Sequence, residues 1–195
     1  MAKPLVIVFA RAPRYGAVKT RLARDIGAAE TLRFYRTELG ALLRRVGRDA
    51  RWETILAVTP DSGERGLWPR QLKLTRQGGG DLGRRMIRAL RGAGPRPAVV
   101  IGSDIPEIKA ENIAAAFRAL GSGRFVLGPA RDGGYWLIGA RHPTHVMRSI
   151  LDGVRWSSAH ALQDSAVRLD GAVVLDAVLD DIDDGAAYHR FIHTR

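Results

Sequence analysis

Val99-Val100-Ile101-Gly102-Ser103-Asp104-Ile105-Pro106 decides the fold, because a β-branched apolar run ends abruptly in small residues and a carboxylate. Such a continuous run is the pattern of a strand covered on both faces in a parallel sheet. It delivers Asp104 to the carboxyl edge of the sheet, where open α/β folds bind their ligands. Pro106 keeps Ile105 extended and discourages a helix from absorbing the aspartate. A hard cation such as Mg²⁺ is usually held by one or two protein carboxylates plus substrate phosphates, so Asp104 and one companion suffice for a metal–nucleotide site. The competing reading makes Asp104 a turn residue or a helix N-cap.

Working outward, Leu5-Val6-Ile7-Val8-Phe9-Ala10 is a second run of the same kind, and it empties into a loop, Arg11 to Thr20, that holds Pro13, Gly16 and Lys19. A strand ending in a glycine- and base-containing loop points to phosphate. The literal P-loop pattern fails, since Val18 precedes Lys19-Thr20 and proline stands at position 13 where the first glycine belongs. What survives is convergence of Arg11, Lys19 and Arg21 near one strand end, where they could neutralise a di- or triphosphate.

Leu32, Phe34, Tyr35, Leu39, Leu42, Leu43 and Val46 recur at helical spacing, predicting a helix over Ala28–Val46 with Gly47 as its cap and these side chains in the core. Strands follow at Thr54–Thr59 and Gln71–Arg76. Gly78-Gly79-Gly80-Asp81-Leu82-Gly83 literally satisfies the G-x-G-x-x-G dinucleotide fingerprint, and a helix over Arg84–Arg91 follows it. Nothing after Asp104 continues a dinucleotide unit, so the glycines are read as backbone that passes close to a ligand, or as a plain turn. An alanine-rich helix is expected over Glu107–Leu120. Phe125–Pro129 and Tyr135–Gly139 are strands separated only by Ala130 and Arg131-Asp132-Gly133-Gly134, which is too short for a crossover helix, so direct pairing would make them antiparallel. A helix to about Leu169, a strand over Ala172–Leu175 and an aspartate-rich approach to a terminal helix complete the chain.

The fold expected is α/β, a three-layer sandwich around a mixed, mainly parallel sheet, as one domain over residues 1–195. With no cysteine in 195 residues, disulfides, thiolate metal sites and cysteine nucleophiles are excluded. No apolar run approaches the roughly 20 residues that span a bilayer, so a cytoplasmic protein is expected. The net charge of +11 is spread along the chain, while Asp176, Asp180, Asp181, Asp183 and Asp184 crowd the end. No basic stretch is interleaved with aromatics, which leaves nucleic acid the weaker partner reading. The five histidines show no tight metal-ligand spacing apart from pairs near chain turns and are read as surface or satisfied residues.

Ala10-Arg11-Ala12-Pro13, Gly16 to Leu22, Gly79-Gly80-Asp81-Leu82-Gly83-Arg84-Arg85-Met86, the Asp104 strand and Leu127 to Gly139 together resemble the small bacterial glycosyltransferase-A-like proteins, the radical-SAM/selenodomain-associated transferase type. The resemblance covers nearly the whole chain, with Arg11 standing where that family usually has lysine. It implies a nucleotide-diphospho-sugar transferase (GT-A) fold, in which Ala10, Arg11, Lys19, Arg21, Gly80 and Asp81 contact nucleotide. It further implies that Asp104 and a late aspartate, Asp183 with Asp181 as neighbouring candidate, hold Mg²⁺ or Mn²⁺. Gly133, Gly134, Trp156 and Ser157 fall on the acceptor side.

Two chemistries fit: glycosyl transfer from a nucleotide-diphospho-sugar to a small-molecule acceptor, or nucleotidyl transfer from a triphosphate with release of pyrophosphate. A non-catalytic nucleotide-binding module is the third reading. Asp132, beyond an apolar strand, is the candidate for orienting or deprotonating an acceptor hydroxyl, with a hairpin-turn role as the alternative. Glycosyl transfer is preferred on the resemblance and on Tyr135-Trp136, which could stack on a sugar face; the other reading of this pair is core packing.

Overall fold

The computed structural model describes residues 2–61 and 65–194. One seven-stranded sheet organises them, built from β1 (Leu5–Arg11), β2 (Glu53–Thr59), β3 (Lys73–Arg76), β4 (Ala98–Gly102), β5 (Phe125–Pro129), β6 (Tyr135–Ala140) and β7 (Ala172–Val174) in the order β3-β2-β1-β4-β6-β5-β7. β6 alone runs against its neighbours β4 and β5; all other pairings are parallel. The mixed, mainly parallel sheet and the antiparallel β5–β6 pair are therefore as expected.

Alternation along β1 shows why its sequence is apolar throughout. Val6 and Val8 point to the face covered by α2 (Ala28–Gly47) and α4 (Ala110–Ser122), whereas Leu5 and Ile7 point to the face covered by α3 (Leu82–Arg91) and α5 (Ala161–Arg168). Successive side chains of a strand point to opposite faces, so a strand lying under two helical layers has no solvent-facing register. A third cluster, Leu22, Phe34 and Ile182, joins α1 (Thr20–Ile26) and α6 (Gly185–His193) to α2.

Several boundaries differ from expectation. Residues Thr20–Ile26 form a helix that carries one fully buried apolar side chain, Leu22, too few for a helical stripe in the sequence. Gly47 is the last residue of α2, and Arg48 caps it. The helix after Asp104 starts at Ala110, because Pro106 and Glu107 form a turn first. Tyr135 and Trp136 are not a sugar platform: Trp136 is 2% exposed, and its indole fills the space that a side chain at Gly128 would occupy, 2.5 Å from where that Cβ would stand. The Trp136 Nε1–H donates to Ala177 O at 3.1 Å. The Tyr135 hydroxyl bonds the Ser165 hydroxyl at 3.3 Å, and burial pushes its ionisation upward. The core-packing reading of this pair holds for both rings.

The chain leaves β1 toward β2 and β3, then returns across to β4 on the other side of β1. That reversal leaves a crevice at the carboxyl ends of β1 and β4, the switch point at which such sheets bind ligands.

Candidate functional site

Arg11 ends β1, and Ser103-Asp104 follow β4 at the same edge, with Phe9 and Gly102 paired in register. Tyr35, reaching up from α2, ties the two strand ends together. Its hydroxyl accepts from the Arg11 N–H at 3.0 Å, donates to the Arg11 carbonyl at 2.9 Å and lies 3.4 Å from the Ser103 hydroxyl. Burial, and then the nearby Asp104 charge, push the Tyr35 phenol up to about 12, so it stays protonated and able to donate.

Lys19 is the centre of the site. It stands just before α1 with φ 43° and ψ 56°, a left-handed conformation uncommon for a residue other than glycine and of a kind that clusters at functional sites. Its side chain is 5% exposed, although it comes from a loop. The ammonium donates to the Ile182 carbonyl at 2.8 Å and to Asp183 Oδ1 at 3.1 Å, and lies 3.5 Å from Asp104 Oδ1. The Ile182 N–H reaches the Asp104 carbonyl at 3.5 Å. Asp104 and Asp183, seventy-nine positions apart by their numbers, thus flank one cation, each with about half its side chain open to solvent.

These groups line a hollow of about 280 Å³ with Arg11, Arg21 and Tyr35. The expected convergence of Arg11, Lys19 and Arg21 is therefore present. The segment 180–182, just before Asp183, walls a second hollow of about 310 Å³, lined also by Pro106, Glu107, Arg131, Arg190 and Phe191 among others. Asp181 sits on that side; burial, then the charges of Asp183 and Asp132, raise its carboxyl to about 6, against the opposing pull of Lys19.

The remaining expected residues occupy supporting positions. Ala10 is buried, and its carbonyl accepts from the Gln77 amide at 3.3 Å. Gly80 has φ 98°, and the Asp81 carboxylate caps α3 by accepting from the Arg84 N–H at 2.8 Å. The Asp132 carboxylate accepts from the Gly134 N–H at 2.8 Å, which is the turn role, while remaining close enough to Asp181 to raise its ionisation. Gly133 packs against Ala159 and its carbonyl accepts from the Leu162 N–H at 2.9 Å. Trp156 is half-buried, edge-on to Tyr135 with ring centres 6.3 Å apart, and Ser157 follows with φ 56°. The structure brings Asp104, Asp183, Lys19, Arg11 and Arg21 into one place and leaves Trp156 in the layer beneath α3.

Two contributors escaped the sequence reading. Tyr35 lies in the core as expected, 3% exposed, and its hydroxyl in addition carries the joint between strand ends. Gln77 is 4% exposed; its amide donates to the Ala10 and Ala57 carbonyls, and its oxygen accepts from Arg85 at 3.0 Å, which fixes the start of the triple-glycine loop. The available signal was a polar residue between a strand and Gly78-Gly79-Gly80.

Among the described residues, no three His, Cys, Asp or Glu side chains cluster as a complete metal cage. The donor set nonetheless fits a divalent cation bound together with phosphate. Two hard carboxylates face one hollow, and Mg²⁺ usually takes one or two protein carboxylates and completes its shell from substrate and water.

Residues 42–158 match the DUF2064 family, described as an uncharacterized protein conserved in bacteria. The chain belongs to this family. The DUF2064 chain superposes with TM-score 0.89 and 28% identity on a crystal structure from Desulfovibrio desulfuricans G20, provisionally named a nucleotide-diphospho-sugar transferase, covering 100% of this chain and 88% of that one. It also superposes on 4-diphosphocytidyl-2C-methyl-D-erythritol synthase from Anaerococcus prevotii DSM 20548, with TM-score 0.65, 12% identity and 100% and 97% of the two chains covered. A manganese complex of Rv0371c from Mycobacterium tuberculosis H37Rv gives TM-score 0.58 at 15% identity over the whole of both chains. At those last identities the likeness shows the fold. Comparison with curated proteins gives no significant match. No helix of the described DUF2064 chain is long and apolar enough to cross a membrane.

Proposed function

We propose that residues 1–195 form a single divalent-metal-dependent transferase domain that acts on a nucleotide-activated donor, and that the group transferred is the sugar of a nucleotide-diphospho-sugar. The observation that carries this reading is the Lys19 ammonium held between the Asp104 and Asp183 carboxylates at the β1–β4 crevice. Such a crevice offers a diphosphate both cationic and metal-binding partners. The name given to the Desulfovibrio relative supports a nucleotide-diphospho-sugar donor, and the manganese bound to the Mycobacterium fold relative supports a metal.

Asp104 and Asp183 would hold Mg²⁺ or Mn²⁺ against the diphosphate. There the metal would supply Lewis-acid stabilisation of charge on the departing diphosphate. Lys19, between the two carboxylates, and Arg11 and Arg21 in the same hollow would neutralise the rest of that charge, as positioned cations that need no reorganisation when the bond breaks. Tyr35 keeps the Arg11 and Ser103 ends in register. Gly80 and Asp81 border the nucleotide, Gly133, Gly134 and Ser157 lie toward the acceptor, and Trp156 supports that side from beneath α3. Asp132 or its neighbour Asp181 accepts the proton of the acceptor hydroxyl. No side chain is required as a covalent nucleophile.

Burial of Tyr135 and Trp136 removes one reason to prefer sugar transfer, so the products must decide. Incubation with a panel of nucleotide sugars and nucleoside triphosphates with Mg²⁺, read by phosphorus NMR with and without added sugar-phosphate and alcohol acceptors, separates the chemistries. The proposal expects nucleoside diphosphate from a nucleotide sugar. Pyrophosphate from a triphosphate would replace it with nucleotidyl transfer, and metal-independent binding with no product would leave a binding module.

A further inference from the structure

A cavity of about 620 Å³ lies outside the site above, on the face of the sheet that α3 covers. One wall is the outer face of α3, which presents Arg84, Arg88 and Arg91. At i, i+4 and i+7 these stack along one side of a helix over about 10 Å. Arg148 stands on the other wall, Ile87 contributes to the lining, and Asp152 is the one carboxylate there, 3.4 Å from the Arg84 Nε.

Charge in this groove is poorly compensated by design of its hydrogen bonds. Arg88 donates to the Gln77 carbonyl at 2.7 Å and to the Gly79 carbonyl at 2.8 Å, and Arg91 donates to the Thr144 and Val146 carbonyls. Carbonyls orient a guanidinium without cancelling its charge. Among the described residues, neither Arg88, Arg91 nor Arg148 has a carboxylate partner. Four guanidiniums therefore face one carboxylate across a concave surface, two of them already fixed in place, which lowers the ordering cost of binding.

We infer that this groove is a second anion site, for a phosphate-bearing small molecule, distinct from the donor pocket. Guanidinium forks match phosphate oxygens in pairs, and a singly charged carboxylate would leave most of the groove's charge unanswered. A nucleic-acid strand is disfavoured because the lining offers no aromatic ring for a base to stack on. The site also has a route to the first one: Arg88 holds the Gly79 carbonyl, and Gly80 packs on the Arg84 side chain.

The test uses inorganic pyrophosphate as probe, in isothermal titration with chelator present, so that no divalent metal contributes. Four proteins are compared: wild type, Lys19→Ala, the double variant Arg84→Ser/Arg148→Ser, and Arg148→Glu. Arg84 and Arg148 are exposed and hold no backbone carbonyl, and thermal melting confirms that the variants fold. The inference expects binding in the Lys19→Ala protein within about twofold of wild type, and at least tenfold weaker binding of that component in both groove variants. Loss of all pyrophosphate binding in Lys19→Ala, or wild-type binding by the groove variants, would overturn it. Displacement of pyrophosphate by a single-stranded oligonucleotide with a steep salt dependence would overturn it in favour of a nucleic-acid surface. None of these outcomes depends on whether the transferase reading of the donor pocket is correct.

Discussion

The Tyr35 hydroxyl both accepts from the Arg11 N–H, at 3.0 Å, and donates to the Arg11 carbonyl, at 2.9 Å. A side chain from the helical layer thereby takes the place of a further strand partner where β1 runs past the end of β4. Tyr35→Phe keeps the ring and leaves two backbone groups unpaired in a half-buried setting, at a cost of about 1–3 kcal/mol. Chemical denaturation should show that loss. Nucleotide affinity should fall as well, because Arg11 loses its anchor; unchanged stability together with unchanged affinity would remove Tyr35 from the account.

Gly133 is held by geometry on two counts. Its φ is 82°, and a Cβ there would overlap the Ala159 carbonyl group. Gly133→Ala is expected to cost more than about 3 kcal/mol and to loosen the packing of 133 against 159–162. Gly16→Ala also faces a positive φ, of 68°, but with open space around it, and is expected to cost about 1 kcal/mol. Comparing the two melts separates steric overlap from backbone strain; equal losses would contradict the overlap.

The Trp156-Ser157 turn is clamped by Arg155, whose guanidinium grips Asp164 at 2.8 and 2.9 Å while its backbone N–H donates at 3.0 Å. These bonds hold the Asp164 carboxyl well below the usual carboxylate range. A depressed value means that the contribution to stability is complete above the ordinary aspartate range near pH 4 and is lost as pH falls through the lower folded value. Asp164→Asn should therefore lower the melting temperature at pH 7, and the gap to wild type should shrink progressively as the pH falls below about 4. A gap independent of pH would mean that the carboxylate charge is not what holds the turn.

Much of the fold was legible because buried strands are written as unbroken apolar runs: β1, β4, β5 and β6 each stand out in that way. The same property hid orientation, since under two helical layers an aromatic in a strand looks alike whether it lines a site or packs a core, as Tyr135 and Trp136 show. Half of the site could be read from strand ends, where Asp104 and the basic loop emerge. The other half depends on a long-range meeting that no spacing encodes: Lys19 reaches Ile182 and Asp183 only because the chain after β7 runs on past the end of β5, Leu179 bridging Ala130, and crosses to Asp104. The α1 helix was missed for a similar reason, its order coming from the contacts of Leu22 with Phe34 and Ile182 and not from a stripe of its own.

The most direct test of the central claim, that Asp104 and Asp183 together grip a divalent cation beside the Lys19 loop, is a titration of Mn²⁺ followed by electron paramagnetic resonance. It is run on wild type, Asp104→Ala and Asp183→Ala, each with and without a saturating nucleoside diphosphate. The account predicts Mn²⁺ binding that tightens when the nucleotide is present, and that weakens at least tenfold in each variant. Undiminished, nucleotide-assisted Mn²⁺ binding in both variants would contradict it.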